Sequence, residues 1–366
     1  MKLQYRTPPP TLFVAIALIF TFLPALAAAQ AQSWAEGRAS AVSMNELIPR
    51  LSSGQAYTER YTFAVDLDDG THVGFNFTIS NLGVRSGYGA SEVRVRFPDR
   101  ANYHHQERVS RRNWSHQTDR FALDIADTQV EAEGANVFVL RHTSDEIEVE
   151  LRFQNRIPMW RPGNGEIRNG DDYYRFMLTA PRADVTGRIK VDGAWREVRG
   201  SRSGYGDHVA TNVAPYDLAK RFTRFRHYND DIFVMWREIE LTEDHGGHTV
   251  AFVVVAVGDR IIYEDVNPEV RFSGLQLDGA TGYHVPHQAD VISSNGSVQL
   301  RFSLRGDSVE KRDLLASYGR AARLVASRLS NPFQYNITGS YNLEIAGGTS
   351  IRRSGKGHFT VDFVNP

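Results

Sequence analysis

From about Tyr57 onward, apolar and polar residues alternate with period two. Tyr61, Phe63, Val65 and Leu67 alternate with Thr62, Ala64 and Asp66, and Val73, Phe75, Phe77 and Ile79 repeat the pattern after Asp68-Asp69-Gly70. Such alternation puts every second side chain on one face of a strand, and the Asp-Asp-Gly break predicts a hairpin. The pattern continues through Val93-Val95-Phe97, Ile147-Val149-Leu151-Phe153, Ile232-Val234-Trp236, Val298-Leu300-Phe302-Leu304 and Phe359-Val361-Phe363. Many short strands separated by Gly, Asn and Asp predict an all-β fold of antiparallel barrels, which close and so leave no exposed edge. Two segments read as helix. Met44 to Leu51 is short, with Ser43 as its cap. Ser308 to Leu329 places Leu314, Leu315, Tyr318, Ala322, Val325 and Leu329 on one stripe, and Asn331-Pro332 ends it. It is expected to lie against a barrel in the C-terminal half.

A faint internal repeat divides the chain. Glu59-Arg60-Tyr61-Thr62 matches Lys220-Arg221-Phe222-Thr223, and an acidic pair with an alternating strand follows each, at an offset of 161 or 162 residues. The repeat predicts two barrels of similar construction, spanning residues 32–215 and 216–366. Residues 1–31 have another role. Lys2 and Arg6, an apolar run from Leu12 to Leu26 and small-residue sites at Ala27-Ala28-Ala29 and Ala29-Gln30-Ala31 form a secretory signal peptide. Cleavage after Ala29 or Ala31 would leave a mature net charge of about −3. The protein is therefore expected to be periplasmic or secreted, without stable membrane insertion.

Composition narrows the chemistry. The 366 residues carry 42 basic and 43 acidic side chains, a balance that argues against nucleic acid as a partner. No cysteine is present, which removes disulfides, thiol catalysis and cysteine-ligated metals. His245-Gly246-Gly247-His248 and His284-Val285-Pro286-His287 each offer two imidazoles and no clear third ligand, so no metal is expected. No cofactor is implied.

Gly200-Ser201-Arg202-Ser203-Gly204-Tyr205-Gly206-Asp207-His208 carries the most information. Three glycines in seven positions let the backbone bend or approach a neighbour closely. The stretch lacks the Gly-Lys-Ser/Thr ending of a phosphate loop and the form of a nucleophile elbow. Either Tyr205, Asp207 and His208 face a cavity, or the segment is a tight inter-barrel connection. In a strand Tyr205 and Asp207 share a face and His208 takes the other.

Gly204-Tyr205-Gly206-Asp207-His208, followed by Thr211, Pro215 and Arg221, resembles the signature of the survival-factor family of lipocalin-like proteins. Asp69-Gly70, Gly74-Phe75 and Ser80-Asn81 also fall in order with that family, as do Asn331 to Tyr335 and Gly355-Lys356-Gly357 with Phe359. The wider superfamily includes carotenoid hydratases of the hydroxyneurosporene synthase type. The resemblance implies two consecutive lipocalin-like barrels and a hydrophobic or amphipathic small-molecule partner, a lipid or an isoprenoid. The chain departs from the hydratase pattern, with Tyr205 before the Asp-His element and Val209-Ala210 after it.

Two functions follow as expectations. A carrier needs a dry pocket with a few orienting polar groups, and Trp195, Tyr205, Arg221, Phe222, Arg224 and Trp236 are its candidate ligand-binding residues. A cofactor-free hydratase or cyclase needs a proton donor, and Asp207, Tyr205 and His208 are its candidate catalytic residues. Asp207 would have to rise from ~3.9 by ~2 to 3 units, whereas His208 could donate with little adjustment. A structural or stress-linked protein with filled barrels is the third reading. The basic cluster Lys220, Arg221, Arg224, Arg226 and His227 reads most simply as a solvated strand face.

Overall fold

The structure is a computed structural model that describes residues 34, 41–82, 86–228, 231–316, 323–324, 327, 330–347 and 350–365. The expected signal peptide, residues 1–31, lies outside the described residues. Twelve strands form the first sheet: β1 (Thr58–Asp66), β2 (His72–Ser80), β3 (Tyr88–Arg96), β4 (Tyr103–Val109), β5 (Trp114–His116), β6 (Ala122–Ile125), β7 (Thr128–Ala132), β8 (Val137–Thr143), β9 (Ile147–Asn155), β10 (Glu166–Asn169), β11 (Asp172–Val191) and β12 (Ala194–Thr211). Their order is β4-β3-β2-β1-β12-β11-β9-β8-β7-β6-β5, with β10 paired to β11, and every pairing is antiparallel. The ends of this order meet. Trp114 on β5 covers Gly89 on β3 and donates Nε1–H to Gly87 O at 3.0 Å. Tyr103 on β4 hydrogen-bonds His142 on β8 at 2.9 Å. The result is a nearly closed barrel.

The second sheet repeats the plan after a single helical turn, α1 (Pro215–Leu218). Its strands are β13 (Ala219–His227), β14 (Ile232–Leu241), β15 (Thr249–Val257), β16 (Arg260–Asp265), β17 (Glu269–Ser273), then the small separate hairpin β18 (Gln276–Leu277) and β19 (His284–Val285), and β20 (Gln288–Asn295), β21 (Val298–Asp313), β22 (Phe333–Ala346) and β23 (Ile351–Phe363). The order is β16-β15-β14-β13-β23-β22-β21-β20-β17. Tyr263 on β16 bridges to Ser293 on β20 at 2.7 Å, so this sheet also curls back on itself. No helix among the described residues is long and apolar enough to cross a membrane.

The helical expectations need correction. Met44–Leu47 is one 3-10 turn, with the Glu46 carboxylate accepting from the Ser43 backbone at 3.0 Å. The expected helix from Ser308 does not begin there. Ser308 to Asp313 belongs to β21, because Thr338 back to Phe333 on β22 supplies a continuous partner. Residues 314–316 form a turn, Arg323, Leu324 and Ser327 are helical, and the rest of 317–329 lies outside the described residues.

Three cores follow from the alternation. The first barrel is filled by inward residues such as Phe63, Phe75, Phe77, Phe138 and Phe153. Phe225, Trp236, Phe302, Tyr341 and Phe359 fill the second. The third core lies between the barrels, where Tyr174, Phe176, Leu178 and Tyr205 meet Phe233, Met235, Ile239 and Phe252. Phe176 stacks on Phe252 with centroids 5.2 Å apart. Each such side chain contributes about 1.5–3 kcal/mol on burial, so this third core joins two barrels into one body. Arg156 to Asp259 at 2.7 Å and Trp160 Nε1 to Glu264 at 2.6 Å close its margin.

The glycines of the signature are explained by the first core. A Cβ on Gly206 would stand 2.6 Å from Thr179 Oγ1 and 3.0 Å from the Phe63 ring, and one on Gly204 would stand 2.7 Å from Val185 Cγ2. Overpacking of this kind costs about 1–3 kcal/mol. Gly206→Ala is accordingly expected to lower the urea-unfolding free energy by about that much. Gly134→Asn, at an open turn with φ +83, should change it by less than about 0.5 kcal/mol. Equal effects in the two variants would refute the packing account.

Candidate functional site

Strand β12 carries the signature, and alternation deals its residues to two places. Tyr205, Asp207 and Val209 turn outward, Tyr205 and Val209 joining the inter-barrel core, while His208 turns into the first barrel. His208 packs against Tyr61, with ring centroids 4.4 Å apart and planes within 18°. Its Nε2–H donates to Glu59 Oε1 at 2.8 Å, a tautomer assigned from the carboxylate partner. His208 and Glu59 are both 2% exposed. His208 Nδ1 is buried and has no hydrogen-bond partner among the described residues.

Glu59 sits on the inward face of β1, in phase with Tyr61, Phe63 and Val65. Tyr57 OH donates to its Oε2, and the Arg50 backbone N–H donates to the same oxygen at 3.3 Å. Tyr61 OH lies 2.7 Å from both Glu59 Oε1 and Leu47 O, and its single proton serves one at a time. Burial pushes the carboxyl up, but the hydrogen bond and charge of His208 and the hydrogen bonds of both tyrosines outweigh it, so Glu59 is held below its ordinary range. Burial and Glu59 together raise both tyrosine hydroxyls well above theirs, keeping them donors.

This pair lies at the mouth of the first barrel, on the wall of a cavity of about 220 Å³. Segment 44–50 borders the cavity on one side with Glu46 and Arg50, and Arg161, Asn164, Gly165, Tyr173, Arg175, Met177 and Ala210 complete it. Glu46 pairs with Arg161, and Arg175 with Glu166 at 2.6 Å. Gly165 is required here: at φ +77, a Cβ would stand 2.8 Å from Arg161 Cδ. Three guanidiniums against two carboxylates leave the lining with a positive balance. Among the described residues no cluster of three or more His, Asp or Glu gathers to hold a metal ion.

The other candidates from the sequence are dispersed. Tyr205 donates to Asp207 Oδ2 at 2.7 Å between the barrels, with the Arg226 guanidinium 3.9 Å above the tyrosine ring. Asp207 Oδ1, Tyr174 OH and Arg237 Nε are buried around that interface with no partner among the described residues. Phe222 packs near Tyr174 in the same layer, with centroids 6.1 Å apart. Trp195 stands at the β11–β12 turn, 38% exposed, beneath Arg188 at 4.3 Å. Arg224 pairs with Asp362 at 3.1 Å. Arg221 and Trp236 face the interior of the second barrel. The structure thus brings His208 to a cavity with Glu59, Tyr57 and Arg161, none of which the motif singled out.

Because the Glu59 carboxyl is depressed in the folded state, its contribution is present above the unfolded value near 4.5 and lost as pH falls through the folded value. Glu59→Gln should be about 1–3 kcal/mol less stable than the parent at pH 7. That gap should narrow as urea titrations are taken below pH 4.5. A gap constant from pH 7 to 3 would contradict an ionised Glu59.

Comparison with known proteins comes from structure. No family model and no curated protein matches the chain. A protein named as an AttH from Nitrosomonas europaea has 14% identity and a TM-score of 0.56, over 90% of this chain and 98% of that one. CghA, solved also with Sch210972, has 11% identity and a TM-score of 0.60, over 92% and 96% of the two chains. Kievitone hydratase from Nectria haematococca has 10% identity and a TM-score of 0.53, over 92% and 98%. Likeness at this identity establishes the fold, a lipocalin-like double barrel of the same architecture as these proteins.

Proposed function

We propose that the protein is a cofactor-free acid–base enzyme of the hydratase type, acting on a small amphipathic molecule at the mouth of the first barrel. The observation that carries this reading is His208: a buried imidazole fixed at Nε2 by a carboxylate, with Nδ1 unpartnered, on the wall of a cavity. Burial alone calls for a partner at each ring nitrogen; here one has the carboxylate and the other has none among the described residues, on a residue that lines the cavity. A carboxylate that orients the ring and fixes its tautomer is an arrangement suited to proton transfer by histidine. Addition or removal of water beside a carbonyl needs one group to move a proton and another to receive the charge on oxygen. Nδ1 serves as the first, and Arg161 as the second, its Nε being buried without a partner. Met177, Ala210 and the rings of Tyr57 and Tyr173 receive the apolar part of the substrate.

The cavity lies below the ~300 Å³ at which drug-sized ligand sites begin, so the reacting part of the substrate is small and the remainder extends through the mouth. The expected N-terminal leader supports a reaction in the periplasm or outside the cell, and the resemblance of Gly204–His208 to the survival-factor signature supports a small amphipathic ligand. A lipid or isoprenoid bearing an oxygen function has the required character. Kievitone hydratase, whose name states a hydration reaction, has the same fold.

A second reading puts the reaction between the barrels with Asp207 as proton donor and Tyr205 as its partner. It is favoured by the unpartnered Asp207 Oδ1, Tyr174 OH and Arg237 Nε. One experiment separates these readings from a carrier. Hydroxylated polyenes and α,β-unsaturated carbonyl compounds are incubated with the protein, and gain or loss of one water is followed by mass spectrometry. His208→Asn should reduce turnover about 10²–10⁴-fold, while Asp207→Asn should reduce it less than tenfold. Loss with Asp207→Asn alone would move the chemistry to the interface. Saturable binding without turnover, unchanged in both variants, would make the protein a carrier.

A further inference from the structure

The charges around the first-barrel cavity do not cancel. Its lining carries Arg50, Arg161 and Arg175 against Glu46 and Glu59. Glu46 takes one arm of Arg161, and Arg161 Nε is left buried without a partner among the described residues. Arg175 is met from outside the lining by Glu166, its Nε lying 2.6 Å from Oε2, and its guanidinium lies 4.4 Å from the centre of the Tyr173 ring. Glu166 is itself shared, because Arg168 Nε lies 2.5 Å from its other oxygen. Adding Arg168 and Glu166 to the lining gives four cations against three anions, the same excess of one. Glu59 is already engaged by His208 and by the hydroxyls of Tyr57 and Tyr61.

The excess belongs to Arg50. Its guanidinium has no carboxylate, ring or hydrogen-bond partner among the described residues. Its backbone is nevertheless held, since the N–H donates to Glu59 Oε2 at 3.3 Å and the neighbouring Leu47 and Pro49 are buried. Arg50 is exposed, whereas His208 and Met177 on the same cavity are buried, so it stands at the open side. A cation fixed beside an apolar wall acts on a guest more strongly than one in open water. Its planar fork matches the two oxygens of a carboxylate.

We propose that this site selects an anionic substrate, a short monocarboxylic acid whose carboxylate lies against Arg50 at the mouth while its reacting carbonyl lies against Arg161. The proposal rests on the hydratase reading of the same cavity. One negative charge brings the lining to neutrality, whereas a second would face Glu46 and Glu59 with no cation left to offset it. In a 4-oxo-2-enoate, water adds across the double bond, hydroxyl to the carbon β to the ketone and hydrogen to the carbon α to it. The carboxylate keeps its charge throughout, so Arg50 is a binding residue that sets specificity and takes no part in the proton transfer.

The test measures binding and turnover separately on the full mature chain. Calorimetry at neutral pH compares 4-oxohexanoate, which has no double bond to hydrate, with the neutral 4-oxohexanamide. The acid should bind at least about fivefold more tightly, and the difference should shrink as sodium chloride is raised. Arg50→Gln should bring the two affinities within twofold of each other, and Arg50→Lys, which keeps the charge, should leave the acid the tighter ligand. Either change retains the backbone N–H that meets Glu59. Arg60→Gln removes the same charge from the outward face of β1 and should leave the preference as it is in the parent. Equal affinities in the parent, no saturable binding of the acid, or a preference that survives Arg50→Gln would each overturn the proposal. Hydration of 4-oxohex-2-enoate and 4-oxohex-2-enamide is followed in parallel. Acid-selective binding with no gain of water would defeat the hydratase reading and uphold the selectivity. Hydration of the amide as efficiently as the acid would do the reverse.

Discussion

The constraint on which the rest depends is that the second half of β12, from Ser203 to Thr211, is enclosed on both faces. It pairs with β1 on one side and β11 on the other, so its backbone hydrogen bonds are committed to the first sheet. Its inward side chains fill a barrel, and its outward ones fill the core between barrels. A strand in this position cannot slip by one residue without exchanging the two sets. That fixes Gly204 and Gly206 beneath Val185 and Phe63, Tyr205 against Tyr228 and Phe233, and His208 against Tyr61. Asp207 and His208, adjacent in sequence, therefore belong to different environments. Any mechanism that couples them directly has to cross the sheet.

A barrel filled with phenylalanine is a poor medium for charge, and the treatment of Glu59 and His208 shows what retaining charge there requires. An isolated carboxylate in such surroundings would take up a proton. Here it is given an imidazole, two phenol hydroxyls and a backbone N–H, enough to hold it ionised. A buried pair of this kind is weak as a source of stability, because desolvation offsets much of the attraction. An apolar pair of similar volume would pack the barrel at least as well. The four hydrogen-bonding groups spent on one carboxylate are better understood as fixing the tautomer and orientation of His208 at a cavity wall.

Much of the fold was legible because both barrels follow period-two alternation closely. The hairpin at Asp68-Asp69-Gly70 forms with Gly70 at φ +84, the left-handed conformation that the Asp-Gly signal anticipates. The helix expected from Ser308 misled because Leu314, Leu315 and Tyr318 suggest a helical stripe, whereas the segment before them is bound by its long-range partner on β22. Pairing at that distance leaves no local mark. Glu59 is inconspicuous in the sequence for a different reason. It stands in the inward phase of an alternating strand, two residues before Tyr61, and belongs to no motif besides the repeat. An ionisable residue on the apolar phase of a strand is itself a signal, and Glu238, in phase with Val234 and Trp236, gives the same one. In the sequence the signature glycines suggest freedom to bend, while in the structure Gly204 and Gly206 mark places where only a hydrogen fits.

These observations bear on how a filled barrel can still have a function. Aromatic and aliphatic side chains occupy the middle of each barrel, and the strands begin before that filling does. At those mouths the first inward residue of β1 and of β13 is charged, and each has a partner on an adjacent strand. A repeat taken at an offset of 161 aligns Arg60 with Arg221 by identity yet puts them on opposite faces, whereas 162 aligns Glu59 with Arg221 on the same face. The correspondence is therefore one of position and not of charge: an acid in one barrel stands where a base stands in the other. Each barrel keeps a polar pair at that position, the acid facing an imidazole in one and the base facing a carboxylate in the other.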